Sequence, residues 1–149
     1  EVAAGMHKQI SDITDPIERQ VWADPAWVIE FPKFKLRVSG KADAIDKANK
    51  IIYDTKRVDR YFDGKYSDDN TIQHNLYFYL FPWAEKFVYL IASGYGDTVE
   101  EYHQLEIKRP DPEELRKKVL ENIIIFLNYL NHKGLWQAYT KNQRYTGKY

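Results

Sequence analysis

Apolar residues recur at two different periods along this 149-residue chain, and the switches between them divide it into elements. Ala3, Met6, His7 and Ile10 fall on one helical stripe, which predicts a short amphipathic helix over residues 1–11. Thr14-Asp15-Pro16 breaks it. Residues 26–31 and 34–45 read as strands divided at Pro32, and Ile51–Val58 reads as the next strand. The polar stretch 61–70, with Gly64, reads as a loop. From 71 to 81, Ile72, Leu76, Tyr79 and Leu80 repeat at helical spacing, and Pro82 follows the end. Lys86–Ser93 and Tyr102–Lys108 read as two strands joined through Gly94 and Gly96. Pro110-Asp111-Pro112-Glu113-Glu114 opens a helix running to about residue 131. Its early acids suit the positive end of the helix dipole, and Gly134 marks its stop. This order, α-β-β-β-α-β-α with an extra strand, predicts an α/β (mixed α+β) domain with a central mixed sheet flanked by helices.

The length fits one domain, residues 1–149, with a sizeable core. Hydrophobic residues make up 44% and aromatics 15%, which excludes a disordered chain. Lys+Arg and Asp+Glu number 22 each, so a nucleic-acid surface must be a local patch rather than a global charge. The absence of cysteine excludes disulfides, cysteine-held zinc, a thiol nucleophile and an iron–sulfur cluster on cysteine ligands. It fits a cytoplasmic, intracellular protein. The longest apolar runs, 87–92 and 123–127, fall far short of a membrane span, so no membrane partner is expected. The chain opens at Glu1 inside a helical pattern, and the expectation is a domain excised from a longer protein.

Chemistry concentrates on the predicted hairpin. If it closes around Ala48-Asn49, residue 46 faces 51 and Asp43 lands opposite Asp54. Directly opposed side chains on paired strands lie about 5 Å apart, and like charges there are destabilising. A divalent cation between them removes that penalty. Asp54 also follows Ile51-Ile52-Tyr53 without a polar break, and a carboxylate in a buried strand costs several kcal/mol unless it is paired or metal-bound. Gly40 and Ala42, being small, leave room for a ligand to approach. Lys56 is two residues beyond Asp54 and so shares its face of the strand. Two carboxylates and a lysine around a hard cation make a phosphodiester-cleaving site. On the following helix, Gln73 and Tyr77 are four apart and share one face.

Gly-x-x-Asp, a short turn, and an apolar strand ending Asp-x-Lys resemble the core of the PD-(D/E)XK nuclease superfamily. The Gln-x-x-x-Tyr helix that follows resembles its RecB-like exonuclease branch, which includes helicase–nuclease subunits and CRISPR-associated and phage exonucleases. The resemblance covers roughly residues 5–80. It implies a restriction-endonuclease-like core and a metal-dependent deoxyribonuclease, with exonuclease favoured over endonuclease. It implies one or two Mg2+ or Mn2+ ions held by Asp43, Asp54, the Thr55 backbone carbonyl and His7. Lys56 would orient or deprotonate the attacking water, and Gln73 and Tyr77 would contact the substrate or hold the lysine. DNA, as single strands or duplex ends, is the implied partner, with a helicase or further copies of the chain for processivity. Arg57 is a candidate phosphate contact. The basic, aromatic tail 132–149, with Trp136, Lys141 and Arg144, offers charge and stacking faces to nucleic acid. Arg57-Val58-Asp59-Arg60-Tyr61-Phe62 is a second such segment.

Two other readings fit the same chain. One is a nuclease fold that has lost catalysis and only binds DNA or a protein. The other is an unrelated α+β ligand-binding domain with Trp22, Trp27 and Trp83 around an apolar cavity; it predicts that Asp43 and Asp54 diverge and that neither is buried.

Overall fold

A computed structural model describes residues 17–32 and 35–132. In chain order these form β1 (Glu18–Trp22), β2 (Trp27–Glu30), β3 (Lys35–Val38), β4 (Lys41–Asp46), β5 (Ile51–Val58), α1 (Gln73–Leu80), β6 (Lys86–Ser93), β7 (Glu101–Lys108) and α2 (Pro112–His132). The helix expected over 1–11, the stop at Gly134 and the basic tail lie outside the described residues.

Five strands make one mixed sheet in the order β1-β4-β5-β6-β7, and β2 with β3 forms a separate two-stranded sheet. Only β5 and β6 run parallel; α1 lies on the connection between them, as a parallel crossover requires. The expected mixed α/β architecture is therefore observed. Two departures have local causes. The stretch 34–45 is not one strand: Ser39-Gly40 interrupts it, so β3 pairs with β2 while β4 enters the large sheet. β1 carries no apolar alternation and is mostly exposed, because it is an edge strand held by β4 alone.

The central strand explains its own placement. β6 (KFVYLIAS) is a nearly continuous apolar run, and Phe87, Val88, Tyr89, Ile91 and Ala92 are all buried. That pattern belongs to a strand covered on both faces. On the other side of the core, α2 presents Leu115, Val119 and Ile123 at steps of four, a single buried stripe. Asp111 caps its start by accepting from the Glu113 and Glu114 amides at 3.2 and 3.5 Å, with Pro112 in the first turn. Leu115, Val119 and Ile123 join Ile45, Ile52, Phe78 and Phe87 in one core cluster. Each large side chain buried there contributes about 1.5–3 kcal/mol.

α1 is short, and its first amide, Gln73 N–H, donates to Thr71 Oγ1 at 3.1 Å. It is secured at its other end by Arg109, whose guanidinium donates to the carbonyls of Phe78 (2.9 Å), Phe81 (3.4 Å) and Ala84 (2.9 Å). A cation at a helix C-terminus satisfies unpaired carbonyls and complements the dipole. The same group lies 5.8 Å from the Phe78 ring centroid. Among the described residues, no helix is long and apolar enough to cross a membrane.

Candidate functional site

The β4–β5 hairpin has the register read from the sequence. Asp46 pairs with Ile51, Ile45 with Ile52 and Ala44 with Tyr53, so the next step brings Asp43 to Asp54. The turn is tied by Asp46, which accepts from the Asn49 amide (3.1 Å) and side chain (2.8 Å). Past Ala44, the Asp43 side chain takes over the contact with β5. Its Oδ2 accepts from the Thr55 N–H at 2.9 Å and the Thr55 hydroxyl at 3.1 Å.

Asp54 is only 7% exposed. Gln73 donates from Nε2 to Asp54 Oδ1 at 3.0 Å. Oδ2 is buried and has no hydrogen-bond donor. Lys56 Nζ lies 3.1 Å from it, a charge contact without hydrogen-bond alignment. Burial pushes the Asp54 carboxyl up to about 6; the Lys56 charge works against this, and the neighbouring Asp43 adds to it. The sequence-based charge conflict is thus present, on a buried group with one oxygen unsatisfied. Hard oxygen donors crowded together in this way fit a hard divalent cation. Among the described residues no group of three or more His, Cys, Asp or Glu side chains forms a metal cage. Asp43 and Asp54 would be its two side-chain ligands there, with His7 outside the described residues.

Gln73 and Tyr77 do sit beside the carboxylates, and their hydrogen bonds go to Asp54 and Lys41 rather than to Lys56. Gln73 holds Asp54 rather than the lysine. Tyr77 donates its hydroxyl to the Lys41 carbonyl at 3.0 Å and so pins β4. Burial, then the charges of Asp54 and Asp43, push its hydroxyl up to about 12. Gly40 also proves to have another reason. A Cβ there would stand 2.9 Å from Cε1 of Tyr77 and 3.1 Å from Cδ1 of Leu80, so the space is filled by α1 and not by a ligand. Gly40→Ala is expected to displace Tyr77 and lower stability by about 1–3 kcal/mol, read as the midpoint of urea unfolding; an unchanged midpoint would refute this packing.

Arg57 spends its guanidinium on main-chain carbonyls: Val58, Gly96 at 2.9 Å and Thr98 at 3.1 Å. It ties the β6–β7 turn to β5. Trp136, Lys141 and Arg144 lie outside the described residues. The tryptophans do not gather around a cavity. Trp22 is exposed with Lys41 over its ring, Trp27 tilts onto Tyr79 and Trp83 meets Phe81 edge-on.

A buried polar network supports α1 from behind. His74, 1% exposed, faces the Tyr89 hydroxyl through Nδ1 (2.9 Å) and Asp68 through Nε2 (2.7 Å). Asp68 also accepts from Asn75 (3.0 Å) and from Lys118 on α2 (2.6 Å). Burial alone would raise the Asp68 carboxyl, but the bonds from Lys118, His74 and Asn75 together hold it down at about 2. Burial lowers the His74 imidazole, outweighing the pull of Asp68. A neutral imidazole beside an ionised carboxylate must carry its proton on Nε2, which leaves Nδ1 to accept from Tyr89. Sequence reasoning passed over Asp68 because a loop acid carries no periodic signal; its spacing of six from His74 was the one available hint.

No family model matches this chain, and no curated protein does. Among solved structures, one described as the crystal structure of SSO0001 matches with a TM-score of 0.58 and 21% identity over 83% of this chain. The chain spans 57% of that protein's length. At this identity the likeness is one of fold, and the description names no activity.

Proposed function

We propose that this domain is a metal-dependent deoxyribonuclease that hydrolyses phosphodiester bonds. The observation that carries the proposal is the Asp54 carboxylate, buried, raised in pKa by its surroundings and left with one oxygen without a hydrogen-bond donor between Asp43 and Lys56. Structural ion pairs are normally completed by hydrogen bonds, and perturbed, incompletely satisfied groups concentrate at functional sites. Asp43, Asp54 and the Thr55 carbonyl would hold Mg2+ or Mn2+, with His7 as the ligand the family resemblance adds. Bound there, the ion would activate a water and offset charge on the scissile phosphate.

The chain's own groups have complementary tasks. Gln73 holds the Asp54 carboxylate through Oδ1, which would leave Oδ2 to serve as the ligand oxygen. Thr55 orients Asp43 with two donors. The Lys56 ammonium, already beside Oδ2, positions the attacking water and opposes charge building on phosphate oxygens. Tyr77 keeps β4 at its distance from α1. DNA over RNA, action from ends, and a helicase or homo-oligomeric partner follow from the RecB-like resemblance in Asp43, Asp54, Lys56, Gln73 and Tyr77.

The direct test is digestion of end-labelled single- and double-stranded DNA with Mn2+, with Mg2+ and with chelator. Metal-dependent shortening is expected, abolished by chelation. DNA left intact with both metals would overturn the catalytic reading and leave a binding-only domain.

A further inference from the structure

The candidate site continues sideways into an aromatic cavity. Asp54 pairs with Tyr89, and Tyr89 with Leu105, so the three form one row across β5, β6 and β7. Two strand spacings, about 10 Å, separate the ends of that row. Over its far end the loop after β5 folds back and leaves a cavity of about 400 Å³, with Tyr61, Tyr66, Leu105 and Ile107 in its wall. Such a volume is in the range of small-ligand sites.

Its aromatic wall is ordered. Tyr66 stacks on Tyr89 with centroids 4.7 Å apart and planes 17° apart. Tyr61 lies 6.4 Å from Tyr66 at 18°, and its ring meets His103 at 4.4 Å. Three nearly parallel rings therefore lead outward from the strand partner of Asp54. On the same loop Phe62 is half exposed with the Lys65 ammonium 5.3 Å from its ring; that ammonium donates to the Arg60 carbonyl at 2.8 Å, and Arg60 itself is exposed. The acids in the wall are Asp63 and Asp68, and Asp68 is compensated by Lys118.

We propose that this cavity receives an unpaired nucleobase of the DNA strand whose phosphate occupies the carboxylate site, stacked on Tyr61 and Tyr66. The inference rests on the nuclease reading and names its substrate as single-stranded DNA. Every base has a flat face that an aromatic ring can take, while the exposed Arg60 on the same loop can meet a phosphate. A base still paired in a duplex cannot enter, so the cavity selects frayed or single-stranded ends.

The probe is a fluorescein-labelled oligothymidylate, with affinity measured by anisotropy in chelator so that no cleavage occurs. Tyr61→Ala is expected to weaken binding about tenfold, the usual scale for one lost base stack, while Tyr61→Phe keeps wild-type affinity. The wild-type protein should lose affinity for the same oligonucleotide carrying abasic positions, a control independent of how the variants fold. Affinity for blunt duplex should not respond to Tyr61→Ala. In metal, the variant should raise KM for the single strand and leave kcat unchanged. Wild-type DNA cleavage with affinity and KM indifferent to Tyr61→Ala and to base removal would overturn the cavity's role and keep the nuclease. Tyr61-dependent binding with no cleavage in any metal would support the cavity and overturn the nuclease. Failure of the wild-type protein to bind the oligonucleotide would overturn the cavity's role as well.

Discussion

Asp54→Asn is expected to abolish metal-dependent cleavage and, with metal removed, to make the protein more stable at pH 8 than it was before. The activity loss follows from taking away a ligand charge. Disturbing only an outer partner of a metal ligand already costs about 10–100-fold, so the loss of the ligand itself should exceed about a hundredfold. The stability gain follows from the burial of a carboxylate that the surroundings push from 3.8 to about 6. Because the folded state holds this proton more tightly than the unfolded state, stability falls as pH rises through that window and the full penalty is present above it. Two pH units correspond to a penalty on the order of 3 kcal/mol. An asparagine does not titrate, can still accept from Gln73, and can turn its amide toward Asp43. Lys56 loses its partner, but the ammonium is partly exposed, so this costs about 0–1 kcal/mol. The net gain of about 2 kcal/mol should raise Tm at pH 8 by roughly 4–8 °C and shrink toward zero near pH 4. Thermal unfolding of both proteins in chelator across that pH range is the measurement. A less stable variant at pH 8 would mean that Asp54 is a structural acid, and full activity would remove it from the site.

Asp68→Ala should be the most damaging substitution outside the carboxylate site. It strips the acceptor from the buried His74 Nε2–H and from the buried Asn75 side chain. A buried donor without an acceptor costs about 1–3 kcal/mol, so a loss of roughly 2–4 kcal/mol is expected. The exposed ion pair with Lys118 adds little to this. Asp68→Asn should recover most of the loss, because His74 and Asn75 both donate to Oδ1, which an amide carbonyl can replace. Protonation of His74 and then of Asp68 should each also subtract stability in acid, in two stages, against the gain from protonating Asp54. The depressed His74 imidazole makes the folded state resist protonation, so stability declines as pH falls below the ordinary histidine value of 6.5. The Asp68 contribution, present above 3.8, is then lost as pH falls toward about 2. Chemical denaturation of the Asp54→Asn protein over pH 2–8 measures both effects without the opposing Asp54 contribution. A midpoint in Asp68→Ala within error of wild type would show that water replaces Asp68 at no cost.

What the sequence made legible follows from where information is local. β5 and β6 were bounded to the residue, because each is an apolar run closed by turn residues. The Asp43–Asp54 juxtaposition was legible because a hairpin register is arithmetic once its turn is placed. β1 was not, since Glu18, Arg19, Gln20 and Trp22 are exposed on an edge strand and leave no hydrophobic pattern. Glycine at position 40 was read as room for a ligand, although the ring that fills it comes from Tyr77, a contact that no local pattern encodes. For the same reason the place of Gln73 and Tyr77 beside the carboxylates was legible, while their hydrogen bonds to Asp54 and to the Lys41 carbonyl were not. Helical spacing gives a shared face, but the rotation of α1 against the sheet is set by tertiary packing and by the Asp68 network.

The three carbonyls held by Arg109 set a boundary on how small a working unit of this chain can be. Every group assigned to the carboxylate site among the described residues falls between Asp43 and Tyr77, a stretch that would look self-sufficient on a linear map. Yet the helix that aims Gln73 at Asp54 is finished at its last turn by a side chain 31 positions beyond Phe78. Arg109 in turn is delivered by β7, which needs β6 beside it. The site is therefore compact in space but distributed along the gene, and a segment that ends before Arg109 carries the chemistry without the frame that aims it.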